Sequence, residues 1–320
     1  MSIGSGRHAV AIGGGTGLPQ VLRCLVELGF ATSAVVTMAD DGGSSGVLRR
    51  QLGILPPGDV RNCLVALADE EQGTLAGVFQ YRFEGGEGLA GHALGNLIIA
   101  ALTKITGDFG EAVRLAEHYL GARGRVLPST FADVVLHGVD RDGAEISGQA
   151  CLATNPTAVA NVFLEPADPP ANPEAIQAIE AADVVLIGPG SLYTSLIPNF
   201  LVAGVADAVR DSRALRVYVC NVANLRGETG GLDAAEHVEA LLDHGLAGGI
   251  DVVLVHRNGS PGSIVCDDGR VIEPVAAGEE VCARIESLGP RVFAAVLADP
   301  DECARHSRDA LRGALEEVLV

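Results

Sequence analysis

Lysine is almost missing from this chain of 320 residues: Lys104 stands alone, and arginine supplies the rest of its 22 basic side chains. No Gly-Lys-Ser or Gly-Lys-Thr occurs anywhere, which excludes a P-loop. Schiff-base chemistry is left with one candidate. Basic surface is scarce as well. A net charge of −19 repels phosphate backbones, and no local basic patch offsets it. A nucleic-acid partner is therefore not expected. Seven cysteines occur (Cys24, Cys63, Cys151, Cys220, Cys266, Cys282, Cys303), odd in number and with no C-x-x-C among them. They read as buried small hydrophobes in a reducing compartment, not as a disulfide framework or a zinc site. No apolar run reaches the roughly 18 residues of a membrane span. The first seven residues are short and polar, unlike a secretory leader. A cytoplasmic protein without a membrane span is the expectation.

What is present is apolar residue in quantity, 48% of the chain, arranged in short buried runs separated by glycine clusters. Runs at 9–12, 33–39, 183–187, 215–220, 251–255 and 291–296 read as strands. Helical periodicity covers 18–28, 60–69, 94–106, 111–120 and 308–318. Strands joined by long crossovers imply an α/β fold with a doubly wound, mostly parallel sheet. Around Asp140-Arg141-Asp142-Gly143 the pattern changes to a β-hairpin with arms at 134–139 and 144–152, because Asp-Gly supplies a tight turn. The proline-rich stretch 166–173 reads as a connector. No internal repeat is evident. The whole chain is expected to form one domain with a core over about 8–256, the hairpin inserted at about 132–152, and a C-terminal extension over about 257–320.

Three glycine loops follow strands, at the edge where open α/β sheets bind ligands. Gly13-Gly14-Gly15-Thr16-Gly17 precedes a helix and offers backbone N–H groups to a phosphate. Its glycine spacing is not the dinucleotide fingerprint, which disfavours an NAD-dependent oxidoreductase. Asp40-Asp41-Gly42-Gly43-Ser44-Ser45-Gly46 brings two carboxylates and two hydroxyls. They suit a ribose diol, a Mg²⁺ ion or merely a solvated turn. Gly188-Pro189-Gly190-Ser191, with Thr194 beyond it, again suits a phosphate or a sugar. Ser191 lacks the G-x-S-x-G context of a nucleophile. Gly58-Asp59-Val60-Arg61-Asn62 puts an acid, a cation and an amide at a helix mouth. There Arg61 either grips a phosphate or carboxylate, or belongs to an ordinary helix start. Gly91-His92-Ala93-Leu94-Gly95-Asn96 sets His92 just before a helix and Asn96 in its first turn. Asn221 ends the strand at 215–220.

Taken in order, the runs 12–18, 39–46 with Leu48-Arg49, 56–64, 91–97 with 105–109, and 188–199 resemble the signatures of one family. So do Cys220-Asn221-Val222, Gly227-Glu228-Thr229 and 235–241. The chain is similar to the bacterial gluconeogenesis-factor family (YvcK-type), which is related to 2-phospho-L-lactate transferase (CofD-like). The match runs from about residue 9 to about residue 245 and is loose beyond. The resemblance implies a Rossmann-like fold and binding of UDP-glucose or UDP-N-acetylglucosamine. It also implies a role linking carbon metabolism to cell shape and cell-wall synthesis. It brings no established reaction and no required cofactor, and it leaves a homodimer open. Carried over residue by residue, the implied ligand contacts are Gly14, Gly15, Thr16, Gly17, Asp40, Asp41, Ser44, Ser45, Asp59, Arg61, Asn62, His92, Asn96, Gly190, Ser191, Thr194 and Asn221.

Two departures matter. The transferases carry a Pro-Asp-x-Asp-Thr run where this chain has Gly58-Asp59-Val60-Arg61-Asn62, so Arg61 occupies the second acid position. An arginine there repels a metal and favours anions. That weakens the alternative, a Mg²⁺-dependent transfer of a phosphorylated three-carbon acid from a nucleoside diphosphate carrier to a deazaflavin. Within the regulatory branch, the usual Thr-Gln-Pro-Gly-Glu-Thr run is Asn224-Leu225-Arg226-Gly227-Glu228-Thr229 here.

Overall fold

The computed structural model describes residues 2–225, 227–257, 264–265, 271–302 and 304–320. The elements run β1 (His8–Gly13), α1 (Leu18–Glu27), β2 (Ala31–Val36), α2 (Gly43–Leu52), α3 (Gly58–Leu67), α4 (Gly73–Gln80), α5 (Leu94–Thr106) and α6 (Phe109–Tyr119). Then come β3 (Gly124–Pro128), β4 (Val135–Asp140), β5 (Glu145–Ser147), α7 (Gln149–Ala153), β6 (Val159–Glu165), α8 (Pro173–Glu180) and β7 (Val184–Ile187). A π-helical turn (Leu192–Leu196) leads through α9 (Ile197–Phe200) and α10 (Val205–Asp211) to β8 (Leu215–Val219) and β9 (Ala223–Asn224). The chain closes with α11 (Ala234–Leu241), β10 (Val252–His256), β11 (Ile264–Val265), β12 (Val271–Pro274), α12 (Glu279–Ser287), β13 (Arg291–Ala295) and α13 (Arg308–Val318).

Seven strands form one parallel sheet in the order β13-β10-β8-β7-β1-β2-β3. Every residue from Ala9 to Ile12 is fully buried. Successive side chains in a strand point to opposite faces, so β1 must be covered on both. Helix α1 supplies part of that cover with Leu18, Val21, Leu22 and Leu25, spaced as one helical face. Strand order reverses between β1 and β7, where Ile12 pairs Val35 on one side and Ile187 on the other. The sheet is therefore doubly wound, with its switch point between those two strands.

Differences from the sequence expectation have local causes. The second strand ends at Val36, not residue 39: Thr37 donates its N–H to the Gly13 carbonyl, and its hydroxyl then accepts from Ala39 N–H and turns the chain. The second hairpin arm stops at Ser147 instead of 152. Gly148 takes φ 96°, and α7 starts there because the Asp41 carboxylate accepts from Gln149 N–H (3.1 Å) and Ala150 N–H (2.8 Å). The hairpin also gains a third strand, β6, on the far side of β4, giving a small antiparallel sheet in the order β5-β4-β6. Strand β3 and helix α2 had no expectation. Cys24, Cys63 and Cys220 are buried as expected, whereas Cys151 is exposed and Cys282 half-buried. Cys266, Cys303 and Arg226 lie outside the described residues.

Candidate functional site

The first glycine loop leaves β1 at the switch point and packs tightly. A Cβ at Gly17 would lie 2.5 Å from the Pro189 carbonyl oxygen, and one at Gly14 would lie 2.6 Å from Asp59 Oδ2. Only glycine permits these approaches. Helix α1 then starts at Leu18 with no side-chain cap and no acid in its first turn. Pro19 has no N–H and the Gln20 N–H donates to the Gly17 carbonyl, so what the helix start gives the cleft is the positive end of its dipole. Thr16, Gly17, Gln20, Pro189, Gly190, Ser191 and Asn221 line a cleft of about 150 Å³, together with Arg305 and His306. The loops after β1, β7 and β8 thus share one edge and one cleft.

The acidic loop flanks that cleft. Asp40 accepts from Gly42 N–H at 3.0 Å and is held by the Ser45 hydroxyl. Asp59, in the first turn of α3, accepts from Gly15 N–H. Burial, and then the neighbouring charge of Asp40, push the Asp59 carboxyl up to about 7. Burial raises Asp40 as well. Beside them lies a buried polar chain. Ser44 Oγ sits 2.9 Å from His92 Nδ1 and accepts from Asn96 Nδ2 at 3.1 Å. Arg61 donates from Nη2 to Asn62 Oδ1 at 2.6 Å, while its Nε and Nη1 have no partner.

On the β7 side most polar groups are satisfied from within, the buried Oδ1 of Asn199 being an exception. Asn221 forms a two-way pair with Gly190: its Oδ1 accepts from the Gly190 N–H (3.2 Å) and its Nδ2 donates to the Gly190 carbonyl (2.8 Å). Thr194 donates its hydroxyl to Glu228 Oε2 at 3.1 Å and is buried. Glu228 Oε1 also accepts from Tyr193 N–H (2.6 Å) and Thr194 N–H (3.0 Å). Burial nevertheless pushes the Glu228 carboxyl up to about 7.

The structure gathers Gly14, Gly15, Thr16, Gly17, Asp40, Ser45 and Asp59 into one cluster. Gly190, Ser191 and Asn221 stand across the cleft, and Ser44, Arg61, Asn62, His92 and Asn96 form the adjoining group. Asp41 and Thr194 have their oxygens turned to other work, on α7 and Glu228. Sequence reasoning passed over Gln20, Asn199, Glu228, Arg305 and His306. Asn199 is fully buried and donates to the carbonyls of Gly13 (3.3 Å) and Ser195 (2.8 Å), tying the first loop to the third. Gln20 offered a signal, a polar residue one turn into an apolar helix start, and its buried Oε1 has no partner. Arg305 and His306 offered none. His306 Nε2 donates to the Cys220 carbonyl at 3.1 Å, and burial pushes its pKa down to about 4. Among the described residues no three His, Cys, Asp or Glu side chains are grouped to hold a metal, and no helix is long and apolar enough to cross a membrane.

The family model described as 2-phospho-L-lactate transferase CofD matches residues 9–295. A gluconeogenesis factor of Halalkalibacterium halodurans is 41% identical over 313 residues, covering 97% of this chain and 96% of that protein. The gluconeogenesis factor of Bacillus subtilis is 48% identical over 252 residues, 79% of each chain. A crystal structure of a Bacillus halodurans protein superposes with a TM-score of 0.89 at 41% identity, covering 97% of this chain and 99% of that one.

Proposed function

The chain belongs to the bacterial gluconeogenesis factors, which share the domain of 2-phospho-L-lactate transferase CofD, and from that premise we propose that it is a cytoplasmic regulatory protein that binds a nucleotide sugar. The ligand is of the UDP-glucose or UDP-N-acetylglucosamine kind, and its binding ties carbon metabolism to cell shape and cell-wall synthesis. The observation that carries this reading is the uncapped start of α1, packed against the Pro189–Ser191 loop at the reversal of strand order. Such a helix start attracts a diphosphate. At about 150 Å³ the walled cleft is below the roughly 300 Å³ of a whole-ligand pocket. It suits the diphosphate, with base and sugar running out along the rim toward Asp40 and Ser191.

Isothermal titration with UDP-N-acetylglucosamine, UDP-glucose and the free sugars tests this. Both nucleotides should bind and the free sugars should not. At 100 times its dissociation constant a nucleotide should add about 2.7 kcal/mol of stability. No heat with any nucleoside diphosphate overturns the reading.

One observation favours the transferase alternative: Asp40 is close enough for its charge to raise the pKa of Asp59. Two carboxylates plus diphosphate oxygens are a donor set that Mg²⁺ accepts, and the ion would neutralise the developing charge on a leaving diphosphate. Arg61, on the same helix, opposes a cation there. EDTA should leave nucleotide binding unchanged. Mg²⁺-dependent transfer to a deazaflavin, lost in Asp59→Asn, would instead establish the transferase.

A further inference from the structure

We infer that the N-terminus of α5 is a second anion seat, built to take an oxyanion group other than the nucleotide diphosphate. Helix α5 runs for 13 residues, and Ala93 at its N-cap gives no side-chain cap. No acid occupies its first turn; the Leu94 N–H donates to the Tyr81 carbonyl (2.8 Å) and the Asn96 N–H to the Ala93 carbonyl (3.0 Å), so the Gly95 N–H and the helix dipole are what this end offers an anion. Onto this end comes Arg61 from α3. A Cβ at Gly95 would lie 2.9 Å from Arg61 Cδ, so glycine is what lets the arginine stem cross the first turn. Arg61 is only 5% exposed, and its Nε and Nη1 have no partner. Asn96, two residues into α5 and 2% exposed, spends its Nδ2 on Ser44, and its unpartnered Oδ1 is an acceptor, so the seat rests on Arg61 and not on this amide.

Buried donors without acceptors are costly, and a guanidinium is the costliest to leave so. A second cation makes it worse. Burial first, and then the charge of Arg82, lower the pKa of Arg61, with Asp59 and Asp40 opposing by smaller amounts. Arg82 itself is exposed and donates from Nη1 to the Gly91 carbonyl at 2.6 Å, at the base of the segment that leads into α5. Two like charges meeting at the positive pole of a helix make sense once a carboxylate or phosphate lies among them.

This seat is not the α1 cleft. Asp59 and Arg61 are two residues apart on α3 and so point about 200° apart around it. Asp59 faces Gly14 and Gly15, whereas Arg61 faces Gly95. A carboxylate therefore stands between the two positive poles, and an anion on one is separated from an anion on the other. Identifying the oxyanion as a partner of the nucleotide rests on the function proposed above. The existence of the seat does not.

Inorganic phosphate is the probe, titrated into the full chain by calorimetry and thermal melting, with and without saturating UDP. Phosphate should raise the melting temperature, and UDP should leave that increment in place. Arg82→Ala, an exposed change, should weaken phosphate at least fivefold with the fold intact. Arg61→Met should abolish the increment, yet the unliganded variant should melt no lower than wild type, since an unpaired buried charge has gone. A lower melting point in Arg61→Met with the phosphate increment kept would make Arg61 a structural residue and overturn the inference. Complete displacement of phosphate by UDP, or no phosphate binding, would also overturn it. UDP-glucuronate locates the source. A fivefold or greater preference over UDP-glucose, lost in Arg82→Ala, puts the oxyanion on the nucleotide sugar. Equal affinities, with phosphate adding to both, put it on a separate metabolite. If UDP itself gives no heat, the nucleotide reading fails while the phosphate titration still decides the seat.

Discussion

The two sides of the switch-point cleft solve the same physical problem in opposite ways. On the β7 side, Glu228 receives three donors and Asn221 pairs both polar atoms of Gly190, with the Oδ1 of Asn199 left as one buried exception. On the α3 side, Arg61 and Asn96 keep buried atoms without partners, and burial with the charge of Asp40 holds the pKa of Asp59 up. A protein that only had to fold would satisfy both sides, because each unpaired buried group costs about 1–3 kcal/mol. The closed side therefore reads as scaffold, and the open side as the place where a ligand completes the structure.

Substitutions can break that contrast. Glu228→Ala strips three buried donors of their acceptor, and should lower the unfolding free energy by about 3 kcal/mol or more in urea titrations. A loss below about 1 kcal/mol would deny Glu228 its scaffold role. Asn221→Ala frees only the Gly190 pair, at a cleft that water enters. A loss of about 1–2 kcal/mol is expected, with weaker nucleotide binding because the loop edge loosens.

Titration sharpens the contrast. The folded pKa values of Asp59 and Glu228 both rise to about 7, from ordinary values of 3.8 and 4.5. The folded state thus holds their protons more tightly than the unfolded chain does. Their contribution to stability is fully present below pH 3.8 for Asp59 and 4.5 for Glu228, and fades as pH rises through about 7. Burial pushes His237 and His306 down to about 4, so their contribution rises with pH over part of the same range, and the acid component is read as a difference between proteins. In urea midpoints measured from pH 4 to 8, Asp59→Asn should remove a component that falls with rising pH, while Glu228 keeps its own. An unchanged slope would mean that Asp59 is not held protonated. The smallest effect is expected for Asp41→Asn, which keeps one acceptor for the two N–H groups that start α7. A loss of about 0.5–1 kcal/mol, with nucleotide affinity nearly unchanged, would place Asp41 with the scaffold. A collapse of affinity would move it to the ligand side.

Much of the sheet could be read from the chain because β7, most of β1 and β10, and residues 217–219 of β8 are buried on both faces and appear as apolar runs. Strand β3 escaped because it is Gly-Arg-Val-Leu-Pro, an edge strand whose polar and proline positions hide it. Strand β6 escaped because the Asp-Gly turn explained β4 and β5 without it. The glycine loops were legible as a site because Gly14 and Gly17 answer to close packing, which leaves a mark in composition. Arg305 and His306 reach the cleft only through tertiary packing, and no local pattern in their neighbourhoods says where their side chains go. Glu228 stood in a recognised run, but its burial against Tyr193 and Thr194 is likewise a matter of tertiary packing.

The small antiparallel sheet touches both rims at once. Asp41, from the acidic loop, anchors the start of α7 just beyond β5, and the Glu228 carbonyl accepts the N–H of Val159 at the head of β6. Between those anchors run a single turn of helix and a short connection, so the sheet acts as a crossbar braced against two posts. If the posts change their spacing, the crossbar must tilt or let go of one of them. Events inside the cleft thereby acquire a lever on the outside of the molecule.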